Sequence, residues 1–107
     1  MSVSRSRETN FALSIIGEER DRQVNRLGWT PEHDDEHTNG ELVRAAACYA
    51  LPPASYVRSG HIGKPSLWPW DMAWWKPTPE DRITELVKAG ALIVAELERL
   101  DRGGAYD

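Results

Sequence analysis

The sequence predicts an all-α fold of three main helices with a long tryptophan- and proline-rich loop. Three observations carry that reading. Apolar residues recur at the spacing of one helix face in three separate stretches. Capping residues, glycines and prolines punctuate their ends. No run alternates apolar and polar residues as a half-buried strand would, except a short one near Tyr56-Val57. At 107 residues the chain makes one domain with a thin core.

Residues 1–9 are polar and expected to be disordered. Asn10 is the expected cap of the first helix, which presents Leu13, Ile16, Val24 and Leu27 on one face. Arg20 interrupts that face. Glu18 to Arg22 form a charged outer face, and Gly28 closes the helix. Thr30-Pro31-Glu32-His33 reads as a fresh N-terminus: a cap, a proline at the first helical position and an acidic first turn. That helical turn runs to about His37 and breaks at Asn39-Gly40. A second main helix, Glu41 to Leu51, sets Leu42, Ala45, Ala46 and Tyr49 on one face and stops at Pro52-Pro53.

Residues 52–77 hold five prolines, two glycines and four tryptophans, with little periodicity. The part from 52 to 66 reads as a mobile loop. Leu67 to Pro77 is too aromatic to remain in water. Thr78-Pro79-Glu80-Asp81 then opens the last helix as cap, proline and acidic turn. Ile83, Leu86, Val87, Gly90, Ile93, Val94, Leu97 and Leu100 follow at helical spacing, and Gly103-Gly104 end it. Gly90 on this face implies a close neighbour, because glycine disfavours a helix by about 1 kcal/mol against alanine. The extended apolar stripe suits a homo-oligomer.

Between Thr30 and Asn39, ten consecutive residues carry no aliphatic side chain but two histidines and four carboxylates. His33 and His37, four apart, share a helix face as zinc ligands would. Glutamate does not follow the first histidine, however, and no third ligand stands at a recognised spacing, so neither a metal nor another cofactor is expected. A second chemistry would use Glu18-Glu19 with Asp34, Asp35 or Glu41 as magnesium ligands, in the manner of all-α nucleotide pyrophosphohydrolases of the MazG type. The plainer alternative makes these acids and histidines helix caps and partners of Arg22, Arg26 or Arg82.

The tryptophans allow two roles. They can replace missing aliphatic core, or stack a base while Lys76, Arg82 or Arg58 meets phosphate. Trp74 and Trp75 are adjacent, so in extended backbone one points inward and the other out.

A net charge of −4 argues against binding DNA or RNA polymers or anionic membranes. No apolar run reaches the ~20 residues needed to span a bilayer. The start of the chain lacks the apolar core of a signal peptide. The single cysteine, Cys48, fits a reducing compartment, and the expected location is cytoplasmic.

Glu18-Glu19-Arg20-Asp21-Arg22-Gln23, Gly28-Trp29-Thr30-Pro31-Glu32-His33-Asp34-Asp35-Glu36-His37, Gly40-Glu41-Leu42, Trp68-Pro69-Trp70, Trp74-Trp75-Lys76-Pro77 and the run from Leu86 to Ile93 together resemble a family of small phage and prophage proteins. That resemblance covers residues 11–102 and implies a setting, the cytoplasm of an infected bacterium, more than an activity. Gly28-Trp29, Asp34-Asp35, Leu51-Pro52 and Asp81-Arg82 also resemble landmarks of the RyR domain, named after the ryanodine receptor repeats. The tryptophan-rich insertion and the lack of Tyr-Gly after Trp29 depart from it. RyR-like modules are proposed nucleotide sensors in bacterial conflict systems. Small phage proteins, in turn, sequester cyclic nucleotides or ADP-ribose derivatives that antiviral systems use as alarms.

The resulting expectation is a phage anti-defence protein without catalytic residues that binds a nucleotide-type immune signal. Trp29, Trp70, Trp74 and Trp75 would stack the base. His33, Asp34, His37 and Glu41 would meet ribose or base edges, and Lys76 and Arg82 would neutralise phosphate. The alternatives are the magnesium-dependent pyrophosphohydrolase and a protein–protein inhibitor of a host factor that uses the tryptophans as its hot spot.

Overall fold

The computed structural model describes residues 4–104. Among them run four α-helices and one small hairpin: α1 (Arg7–Leu27), α2 (Pro31–Asp34), α3 (Glu41–Ala50), β1 (Val57–Arg58), β2 (His61–Ile62) and α4 (Arg82–Arg102). Pro53–Ser55 and Met72–Trp74 form single 3-10 turns.

α1 starts before the expected cap. The Ser6 hydroxyl accepts from the Thr9 amide at 3.1 Å, and the Asn10 amide already donates back to the Ser6 carbonyl. Asn10 is therefore inside the helix. Of the stretch expected to be disordered, residues 1–3 lie outside the described residues. At the far end Gly28 adopts φ 75°, a conformation that side chains resist, and the Trp29 amide reaches back to the Gln23 carbonyl at 3.0 Å. This reversal aims Trp29 away from α1 and starts α2 immediately.

α4 also starts later than its sequence suggests. Asp81 caps it, accepting from the Thr84 amide at 3.1 Å and the Thr84 hydroxyl at 2.7 Å. Thr78 instead closes the preceding turn, its carbonyl accepting from the Asp81 amide. The buried face of α4 consists of Glu85, Ala89, Ala91, Leu92 and Ala95. The stripe marked by the larger aliphatics is not that face: Ile83, Leu86, Ile93 and Leu97 remain about half exposed or more. The reason is α3, whose own inner face is Leu42, Ala45, Ala46, Cys48 and Tyr49. Alanine meeting alanine lets two helix backbones approach closely, so α4 turns its small side chains to α3. Gly90 serves the other contact. A methyl group there would come within 2.8 Å of Ile16 on α1.

The loop is less irregular than its composition implies. Val57 pairs with Ile62 and Arg58 with His61, which gives the strand expected near Tyr56-Val57 a partner. Tyr56, Trp68 and Trp75 join Leu42, Tyr49 and Leu92 in a single core cluster. Trp75 donates its indole N–H to the Gly63 carbonyl at 2.9 Å, and Trp68 donates to the Asp71 carbonyl at 3.1 Å. Two satisfied indoles thus stitch the loop to itself while filling the space beside α3.

Candidate functional site

The acid–histidine stretch folds as its capping residues dictate. The Thr30 hydroxyl accepts from the His33 amide, Pro31 takes the first position, and one helical turn follows. His33 and His37 then stack edge to face with ring centroids 4.9 Å apart. His37 lies 5.1 Å from Trp70, and Trp29 faces Trp70 at 6.0 Å and Trp74 at 6.3 Å. These rings, with Asp71, line a groove of about 250 Å³. The turn after α1 supplies Trp29, α2 and its exit supply the histidines, and the loop supplies the rest.

Glu41 orients this site without lining it. Its carboxylate lies 3.6 Å from His37 Nδ1 and accepts the Asn39 amide at 2.6 Å. Burial works against its charge, but the amides of Glu41 and Asn39 together with His37 outweigh it and hold the carboxyl below the usual range. In the neutral imidazole with its proton on Nδ1, the nitrogen that faces this carboxylate, Nε2 is an acceptor. His37 Nε2 is buried with no hydrogen-bond partner, and so is Trp70 Nε1. An unpaired acceptor and an unpaired donor therefore sit in neighbouring rings of one groove. Buried polar atoms are rarely left so.

Asp34 belongs to the scaffold. It is 1 % exposed, and Arg20 Nη2 holds it at 2.6 Å. Arg20 also binds Glu98 at 2.8 Å and donates to the Trp29 carbonyl at 3.4 Å. This explains the arginine that interrupts the apolar face of α1: it is a buried tie between α1, α2 and α4. Arg102 likewise holds Asp35 at 2.8 Å. For Asp34 and Asp35 the arginines used are thus Arg20 and Arg102, not Arg22, Arg26 or Arg82.

Three further expected site residues lie elsewhere. Trp75 is 5 % exposed and part of the core. Arg82 donates to the Tyr49, Ala50 and Leu51 carbonyls at the end of α3 and lies 3.4 Å from Glu85. Glu85, fully buried, also accepts from the Tyr56 hydroxyl. Lys76 lines a second cavity, on the other side of Trp29 and Trp74. Sequence reasoning missed Asp71 in the groove. It missed Gln23, Tyr49 and Lys88 in the second cavity too, and a glutamine inside a charged run gives no signal of its own.

No three His, Cys, Asp or Glu side chains among the described residues form a group that could hold a metal ion. Of the acids that magnesium chemistry would use, three are held by arginines: Glu19 by Arg22 at 2.7 and 2.8 Å, Asp34 by Arg20 and Asp35 by Arg102. No helix among the described residues is long and apolar enough to cross a membrane. The fold and groove define a small helical protein with an aromatic-walled cleft. No family model, curated protein or solved structure matches the chain.

Proposed function

We propose that the protein binds a nucleotide-type small molecule in the tryptophan cleft and releases it unchanged. The observation that carries this is the unpaired couple, His37 Nε2 and Trp70 Nε1, beside the faces of Trp29 and Trp74. A nucleobase edge offers a donor and an acceptor side by side, and its face stacks on indole, at about 1–3 kcal/mol per base. Solvent does not reach either atom in this form of the protein, so the base edge takes hold as the His37 and Trp70 rings part. In the phage setting that the sequence resemblance implies, the bound molecule is an immune signal of the cyclic nucleotide or ADP-ribose type, and binding withdraws it from its receptor.

Calorimetry against cyclic dinucleotides, cyclic trinucleotides and cyclic ADP-ribose isomers tests this. No binding to any of them would sink it. Extracting the ligand afterwards separates a binder, which returns it intact, from a hydrolase, which does not.

A second reading has its own support. Leu67, Met72 and Trp74 of the loop are each about half exposed, as a protein-binding hot spot would be. A host protein retained by the wild type and lost on Trp74→Ala, with no nucleotide bound, would favour an inhibitor of a host factor.

A further inference from the structure

We infer that the cavity behind Trp29 and Trp74 is an anion subsite that takes the phosphate of the nucleotide whose base lies in the histidine groove. The inference rests on the reading just given and names the chemistry of the rest of the ligand. The two tryptophans are a common wall, since both line both spaces. A ligand bent over the edge of that wall occupies the groove and the cavity, of about 240 Å³, together.

The charge in the cavity is opposite to that of the chain. Arg22, Lys76 and Lys88 line it against a single carboxylate, Glu19, which makes three cations against one anion in a protein of net charge −4. Glu19 is already chelated by Arg22. Neither lysine is paired with a carboxylate among the described residues: Lys88 Nζ donates to the Lys76 carbonyl at 2.8 Å and lies 5.4 Å over the Tyr49 ring. Burial holds Lys88 below the usual lysine range, and an anion beside it would relieve that.

The second, independent observation is Gln23. It lines the cavity, is only 2 % exposed, and its Oε1 has no partner. The orientation of its amide is fixed, because Nε2 donates to Glu19 Oε2 at 3.3 Å and a flipped amide would set two acceptors face to face. The unpaired atom is therefore an acceptor, shut from solvent in this form of the protein, and a ligand that parts the packing around it would meet it with a hydroxyl or N–H. Tyr49 supplies the reverse. Its oxygen accepts from the Lys76 amide at 3.2 Å, and burial pushes its pKa up to about 12, so its own proton stays available to donate. Two ammonium groups and a phenol for a phosphate, beside one acceptor for a sugar hydroxyl, match a phosphorylated ribose.

The test is an NMR titration of the isotope-labelled full chain with inorganic pyrophosphate, with adenosine and guanosine, and with their 5′-monophosphates. Pyrophosphate should move the Gln23 side-chain amide and the Lys76 and Lys88 resonances, but not the Trp70 indole N–H. The monophosphates should move both sets and bind about tenfold or more tighter than the nucleosides. Lys88→Gln should abolish that advantage while nucleoside affinity and helix content stay unchanged. Equal binding of nucleosides and monophosphates would overturn the inference. So would a pyrophosphate response at the exposed Lys64 as large as at Lys76 and Lys88, since that is general screening. If pyrophosphate moves Gln23 while no nucleoside or monophosphate moves the Trp70 indole, the anion site stands and the nucleotide reading falls.

Discussion

Trp68 and Trp75 come from the same short stretch as Trp70 and Trp74, yet the two pairs have opposite fates. The first pair is 5 % exposed at each residue, and both indoles donate to loop carbonyls. In the second pair, Trp74 is 49 % exposed and the Trp70 indole has no partner. Hydrophobicity cannot separate them, because the side chains are identical. What separates them is whether the polar edge of the ring is satisfied within the protein. A ring with its N–H paired within the protein serves the core, and a ring left unpaired beside the groove is the one that the proposed binding would use.

That contrast breaks most readily on stability. Trp75→Ala should cost about 3–5 kcal/mol in urea unfolding, as expected when a large buried side chain leaves a cavity. Trp74→Ala should cost under about 1 kcal/mol and instead weaken ligand binding, by the ~1–3 kcal/mol of a lost stack. Equal destabilisation by the two substitutions would erase the distinction between plug and wall.

Asp34→Asn sharpens the same line at a residue that its sequence neighbourhood would place in the site. The carboxylate is buried against Arg20, so neutralising it should cost about 2–3 kcal/mol of stability, the range for a hydrogen bond between charged groups. Ligand affinity measured on the still-folded variant should not change. A folded variant that fails to bind would return Asp34 to the cleft.

How much of this was legible beforehand follows the range of each interaction. Capping turns are local, so the α2 start at Thr30-Pro31 and the end of α1 at Gly28 could be read directly. The split at Trp74-Trp75 was expected from extended backbone, yet Trp74 ends a 3-10 turn and only Trp75 is extended, and which indole would find a carbonyl was not legible. The buried face of α4 was not legible. Hydrophobic spacing marked Ile83, Leu86 and Ile93, and only the alanines of α3, a separate element, reveal why the smaller face docks. Arg20 was visible as an interruption, but its partners Asp34 and Glu98 are 14 and 78 residues away. The unpaired atoms of Gln23, His37 and Trp70 are properties of packing and leave no trace in composition.

Alkaline pH probes the core side of the comparison. Tyr49 is pushed up to about 12 by burial, and Tyr56 is raised by burial and by its hydrogen bond to Glu85. Below pH 10 both states hold these protons and stability is complete. From about pH 10 the unfolded chain releases them while the folded protein does not, so stability should fall by roughly 1.4 kcal/mol per pH unit for each tyrosine. For Tyr49 the loss should end near pH 12. With the third tyrosine removed by Tyr106→Phe, absorbance at tyrosinate wavelengths should rise together with unfolding, not before it. An early rise would mean that the hydroxyls are open to water.

The smallest effect comes from the neighbour of Asp34. Asp35 makes the same kind of bond, to Arg102 at 2.8 Å, but its side chain is 50 % exposed. Water already solvates both charges there, so Asp35→Asn should change stability by under 1 kcal/mol, and less still at high salt. The two aspartates are adjacent in sequence and each is held by one arginine at under 3 Å, so distance cannot account for a difference between them. If Asp34→Asn and Asp35→Asn prove equally costly in parallel urea titrations, burial is not what makes Arg20 the tie between α1, α2 and α4. A gap of about 1–3 kcal/mol between them measures what removing water from that ion pair contributes.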